Sequence, residues 1–271
     1  MKIAAVSERE DAAELIVIRK EAVENGLKFS FKKNAKVGTS SARRKSQLLA
    51  FRDDIIIEEL RGNVPTRIQK LRDKKYDAIM LAAAGVERLR IDLSEFKVVR
   101  LDPKEFIPAP AQGVLGLQIR EDDHELFEYI NKLNSEKVED IIGVERKVLN
   151  LFDGGCQLPL GIYCIKEDNK FKVWASKSDA WNTMPKRLYF ESFTDEGFAE
   201  KIVNKLNTIK RKIHYTEQGM KPFNIQLENY NKSKEEPKKQ LELDNQTKPS
   251  WDHKLADSPT GKVKKISLKT P

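Results

Sequence analysis

Val37-Gly-Thr-Ser-Ser-Ala-Arg-Arg-Lys-Ser-Gln-Leu-Leu49 holds an apolar end, a turn and a helix in one short stretch. Gly38 to Ser41 is a turn of small hydroxyl residues, and good helix formers follow from Ala42, with Leu48 and Leu49 reaching a core. Working outward, Ile55-Ile56-Ile57 and Ala78-Ile79-Met80-Leu81 read as buried strands bounded by polar residues. Between them Pro65 to Leu71 supplies a short helix, with its proline where a first turn tolerates one. Strand, helix, strand, helix predicts a mostly parallel sheet covered by helices, hence an α/β domain.

The same stretch carries chemistry. Arg43, Arg44 and Lys45 fall in the first turn of the expected helix, where cations face the positive end of the macrodipole. Local stability does not explain them, whereas a bound anion does. Free N–H groups, two hydroxyls and two guanidiniums at a helix N-terminus make a carboxylate or phosphate site. The pattern recurs in Leu60-Arg61-Gly62-Asn63-Val64-Pro65-Thr66-Arg67, which follows the Ile55 to Ile57 strand. In open α/β sheets ligands bind outside the carboxyl ends of the strands, so two such junctions predict a ligand with several acidic groups.

A second region begins near Asn134. Ser135 can cap a helix whose apolar residues Val138, Ile141, Ile142, Val148, Leu149 and Phe152 recur at helical spacing, with Gly154-Gly155 as its stop. Strand-like runs follow at Leu160 to Ile165, Phe171 to Ser176 and Arg187 to Phe193, with a turn at Glu167-Asp168-Asn169. A further amphipathic helix runs from Asp195 to about Arg211. Together these predict a small α+β domain. Nearer the start, Ser7-Glu-Arg-Glu10 fits a capping box, with Leu15, Ile16, Ala22 and Val23 along a helix face; Leu15 to Ile18 equally fits a strand.

The net charge of +8 suggests an anionic partner, but much of the lysine lies in residues 213–271, among Asn, Gln, Ser and Pro. That composition predicts a disordered tail or linker with no specific nucleic-acid role. No apolar run approaches the roughly 20 residues that span a bilayer, and no secretion signal precedes Cys156 and Cys164. The expected location is cytoplasmic, with both cysteines reduced. His124, His214 and His253 lack metal-site spacing, so no metal is expected.

GTSSARRKSQL, LRGNVPTRIQKL, YDAIMLAAAGVERL, PAPAQGVLGLQIR and GGCQLPLGIYC, in this order and spacing, resemble the porphobilinogen deaminase (hydroxymethylbilane synthase) family from about Ile3 to Arg211. The resemblance implies two domains like those of periplasmic binding proteins around a cleft, plus a small α+β domain carrying the cofactor. Here residues 1–14 would be a remnant of domain 1 and the hinge, 15–108 domain 2, 109–131 the returning segment of domain 1, and 132–212 domain 3. Ala12-Ala13-Glu14 replaces the family's usual Pro-Arg-Asp, and Ala111 stands where the family has glycine.

By the same resemblance Cys156 would hold a dipyrromethane through a thioether. Ser41, Arg43, Arg44, Arg61, Arg9 and Asp11 would bind that cofactor, and Arg67, Arg88 and Gln112 the substrate. The implied activity is that of a transferase in haem biosynthesis. It joins four porphobilinogen units head to tail into a linear tetrapyrrole, and the complete enzyme would be a monomer. The family's catalytic aspartate lies before Met1 in this comparison, so no residue here takes that role and the chain alone is expected to be inactive. The alternative is a non-catalytic, polycarboxylate-binding remnant of the enzyme.

Overall fold

A computed structural model describes residues 1–153, 155 and 157–208. Gly154, Cys156, the last residues of the helix expected to reach Arg211, and the 213–271 tail lie outside the described residues.

The α/β unit is a five-stranded sheet. Its strands are β2 (Glu14–Ile18), β3 (Lys36–Gly38), β4 (Ile56–Glu58), β5 (Ala78–Ala82) and β6 (Lys97–Arg100), in the order β4-β3-β5-β2-β6. Strand β3 is parallel to β4 and β5, while β2 is antiparallel to β5 and β6. The sheet is therefore mixed, with β2 reversed between β5 and β6 and the other four strands running one way. The βαβ crossovers through α1 (Ala42–Phe51) and α2 (Val64–Arg72) enforce the parallel pairs, whereas β2, inserted between β5 and β6, runs against both neighbours. The open choice at Leu15 to Ile18 falls to the strand, and residues 7–13 form no helix despite the capping-box pattern.

Alternation along the strands serves two cores. Ile16, Ile18, Ala78 and Met80 face Leu48 and Leu49 of α1, together with Phe31 and Phe106. Leu15, Val17, Ile79 and Leu81 face Ile68 and Leu71 of α2. Helix α3 (Ala83–Arg88) follows β5 directly and adds Val86 to this second face.

The second unit is an antiparallel sheet of β8 (Leu160–Glu167), β9 (Lys170–Lys177) and β10 (Lys186–Ser192), in the order β10-β9-β8. Two helices, α5 (Glu136–Leu151) and α6 (Phe198–Thr208), join it in one core. Asp168 and Asn169 both take positive φ (52° and 59°), which suits the two-residue hairpin between β8 and β9. Ser135 precedes α5, but its hydroxyl donates to Glu8 (2.7 Å) and makes no side-chain cap. Strand β8 docks on the 107–112 loop so closely that a Cβ on Gly161 would lie 2.6 Å from the Ile107 carbonyl oxygen.

The remaining elements are a two-stranded antiparallel sheet, β1 (Lys2–Val6) with β7 (Gly116–Ile119), and α4 (His124–Asn131), which buries none of its residues. No helix among the described residues is long and apolar enough to cross a membrane.

Candidate functional site

The loop between β3 and α1 puts hydroxyls where the sequence predicts them. Ser41 caps α1 weakly, accepting from the Arg44 N–H at 3.4 Å. Ser40 both accepts from the Leu60 N–H and donates to the Leu60 carbonyl (3.0 Å each), which ties the two strand-to-helix junctions together.

Arg43 and Arg44 do not project into solvent. Both are buried, and each donates through Nη2 to a different oxygen of Glu14 at 2.6 Å. Arg43 also donates through Nη1 to the Ile107 carbonyl (3.0 Å) and, at longer range, through Nη2 to Gln112 Oε1 (3.3 Å). Arg44 donates to the Met80 carbonyl (3.2 Å), and its Nε is buried with no acceptor among the described residues. Burial pushes the Glu14 carboxyl up, but the two guanidiniums outweigh it and hold the group below the usual glutamate range.

At the second junction Arg67 donates to the Gly62 carbonyl (2.8 Å) and pairs with no carboxylate among the described residues. Burial, and then the nearby charge of Arg44, lower its proton affinity. Arg61 is exposed and acts on Glu59, whose carboxylate also binds Lys45. Ser41, Arg44, Arg61 and Arg67 therefore lie at the carboxyl ends of the adjacent parallel strands β3 and β4.

The other expected residues lie in residues 9–12, in the 109–113 loop and at the end of α3. Arg9 donates to Glu145 (2.7 Å) and to the Gln112 carbonyl (3.0 Å), with its guanidinium 5.1 Å from the Tyr163 ring centroid. Asp11 accepts both arms of Arg100 (2.6 and 2.7 Å). Gln112 donates to the Ala12 carbonyl (2.9 Å), and Arg88 to the Gly113 carbonyl (2.7 Å). A polar cavity of about 460 Å³ opens here, lined in part by Arg9, Asp11, Arg100, Lys104 and Tyr163. These contacts tie residues 9–12 to the 109–113 loop, to Glu145 and to Arg100, and the structure does not bring Arg9 or Asp11 to the Arg44–Arg67 edge by any hydrogen bond.

Cys156 lies outside the described residues. Cys164 is buried in β8 and burial pushes its thiol well above the ordinary range, so it is a poor nucleophile. Among the described residues no three of His, Cys, Asp and Glu gather as a metal group would need.

Two buried carboxylates, Glu14 and Glu145, organise the site and were not singled out by motif. Each left a trace in the sequence: Glu14 leads an apolar run, and Glu145 falls on the apolar stripe of α5 between Ile142 and Val148. Glu145 accepts from Arg9, from the Ala111 N–H (2.6 Å) and from the Cys164 N–H (2.7 Å), joining three segments.

Residues 1–128 match the family model described as porphobilinogen deaminase, dipyrromethane cofactor-binding domain. The porphobilinogen deaminase of Fusobacterium nucleatum is 42% identical over 173 residues, which cover 63% of this chain and 55% of that protein. That of Bacillus subtilis is 40% identical over 167 residues, 60% of this chain and 50% of that protein. The chain thus spans about half the length of the curated relatives it matches. Among solved structures, an arginine-specific periplasmic binding protein of Salmonella typhimurium is 16% identical, with 49% of this chain and 55% of that one covered, and superposes with a TM-score of 0.32.

Proposed function

The chain is a relative of the porphobilinogen deaminases, and from that premise we propose that it serves hydroxymethylbilane synthesis, binding porphobilinogen and the growing linear tetrapyrrole. Each pyrrole unit brings an acetate and a propionate, so the ligand gains two carboxylates per step. The observation that carries the reading is the buried Nε of Arg44, without an acceptor among the described residues, beside Arg67, a second guanidinium that no described carboxylate pairs. Like charges held together in a part-buried edge favour a bound anion between them. Charge-assisted hydrogen bonds from arginine suit carboxylates.

A dipyrromethane suits the same donors, because it too carries carboxylates. On this reading Cys156 holds it, and when bound it supplies the primer to which the first porphobilinogen joins with loss of ammonia. Arg44, Arg61, Arg67 and the Ser41 turn bind and orient carboxylates. Gln112 acts from the 109–131 segment through Arg43. Arg9 and Asp11 set the hinge, and Arg88 braces the loop after Gln112. The division into residues 1–14, 15–108, 109–131 and 132–212 belongs to the same reading, as do a cytoplasmic location and a monomeric complete enzyme.

Two measurements test this. Calorimetry with a dipyrrole dicarboxylate should give binding that Arg67→Ala weakens by about 1.5–3 kcal/mol; no binding by the wild-type chain would end the anion-cleft reading. Intact mass of the chain made in cells that synthesise porphobilinogen should show an adduct that Cys156→Ser removes. An adduct that persists in the serine variant, or that maps to Cys164, would overturn the assignment.

A further inference from the structure

Glu14 is the first residue of β2 and its side chain is wholly buried. Its two oxygens are divided: Oε1 accepts from Arg43 and Oε2 from Arg44, both at 2.6 Å. The two arginines are consecutive in the first turn of α1, where the helix N-terminus repels cations. One carboxylate on a neighbouring strand therefore holds two like charges in place. Arg43 is anchored further by the Ile107 carbonyl and Arg44 by the Met80 carbonyl. The buried donor left over is Nε of Arg44.

We propose that Glu14 is a positioning residue for the anion cleft: by gripping one arm of each guanidinium it turns the Nε edge of Arg44 toward the ligand and halves the charge of the pair. The inference rests on the anion-cleft reading above. With Glu14 ionised, Arg43, Arg44 and Glu14 carry a net charge of one, and Arg67 adds a second. Arg44 and Arg67 then match the two carboxylates of one pyrrole unit, with the exposed Arg61 a third cation beside them. Without the Glu14 charge the pair would be an unaimed double cation that any small anion could satisfy. An amide cannot replace the carboxylate, because its NH2 would face the N–H donors of one arginine.

The experiment compares wild type, Glu14→Gln and Glu14→Asp as full chains, with porphobilinogen and inorganic sulfate as probes in calorimetry and thermal melts. Glu14→Gln is expected to bind porphobilinogen about 10- to 100-fold more weakly, the equivalent of one charge-assisted hydrogen bond. Its melting midpoint is expected to rise with sulfate more than that of the wild type does. Glu14→Asp keeps the charge and both oxygens, and should recover most of the loss. A glutamate that served only to hold the fold would give a Glu14→Gln protein that, measured well below its midpoint, binds porphobilinogen as the wild type does; that result would overturn the proposal. If Glu14→Gln does not fold, Glu14→Gln with Arg43→Met removes one cation along with its counter-charge and leaves Arg44 unaimed. Wild-type affinity in that double variant would equally sink the idea. Failure of the wild type itself to bind porphobilinogen is a different outcome, which removes the cleft and the role of Glu14 together.

Discussion

Arg43 and Arg44 are neighbours of the same type, yet their replacement should have different consequences. The donors of Arg43 go to Glu14, the Ile107 carbonyl and Gln112, so Arg43→Ala leaves buried acceptors unpaired and is expected to cost on the order of 3 kcal/mol of stability. Its effect on a dipyrrole dicarboxylate should be small once the protein is folded. Arg44→Ala removes the buried donor of this cluster that has no acceptor among the described residues, and should lose about 1.5–3 kcal/mol of binding as well. Urea denaturation and calorimetry on both variants check this; equal loss of binding would mean that Arg43 also meets the ligand.

Glu14 gives this residue cluster a pH signature. Burial raises the carboxyl and the two guanidiniums lower it further, to below the ordinary value of 4.5. The unfolded chain therefore takes up a proton at this position before the folded chain does. Stability from the ionised triad is whole above about 4.5 and is lost as pH falls through the lower native value. The stability gap between wild type and Glu14→Gln, read from urea midpoints, should be flat between about pH 6 and about pH 8 and shrink in acid. A gap that widens in acid would place the proton elsewhere. The basic half of this cluster was legible in the sequence, because Arg43 and Arg44 sit at a helix start where local stability disfavours them, and Arg61 and Arg67 repeat the pattern at the next strand-to-helix junction. The acidic half was not legible as a role. Glu14 reaches its partners across 29 and 30 positions, and Glu145 reaches Arg9 across 136, so only folding reveals them.

At the scale of elements, the helices that position the site follow their apolar periods closely. The pattern at Pro65 to Leu71 becomes α2 (Val64–Arg72), with the Asn63 side chain accepting from the Thr66 N–H at its start. Strand direction was not legible, since alternation fixes which face is buried but not which neighbour pairs in which sense. The sheet therefore departs from the expected parallel order at β2, which runs against the other four strands. The turn at Ala111 is the converse case. Its φ is +59°, a left-handed conformation that a Cβ disfavours, and its N–H is held by Glu145 at 2.6 Å. Ala111→Gly should therefore stabilise the chain by about 0.5–1 kcal/mol, relief of strain outweighing the added freedom of the unfolded state. A lower thermal midpoint in Ala111→Gly would show that the turn carries no strain.

For the molecule as a whole, the last prediction concerns turnover. The β1–β7 sheet has only two strands, and two-stranded sheets are marginal without further cover. Leu115, Leu117, Leu126, Tyr129 and Leu133 stand exposed on or beside that sheet and α4, with Leu133 64% exposed. Apolar surface of that kind favours association or aggregation. The nearby carboxylates are also committed: Glu14 lies between two arginines, Glu59 binds Lys45, and Asp11 binds Arg100. Condensation that develops positive charge on a pyrrole nitrogen needs a carboxylate placed beside it, and losing one such preorganised group typically costs about a hundredfold to a thousandfold. The purified chain is therefore expected to make negligible hydroxymethylbilane from porphobilinogen. A polypeptide carrying the part of the Fusobacterium nucleatum relative that this chain does not match should, when co-expressed, cover the β1–β7 and α4 surface and restore both solubility and turnover. Hydroxymethylbilane, followed as uroporphyrin after cyclisation and oxidation, is the readout for the chain alone and for the pair. Robust turnover by the chain alone would show that one of those three carboxylates leaves its partner to serve the reaction, and Glu59→Gln and Asp11→Asn would then identify which.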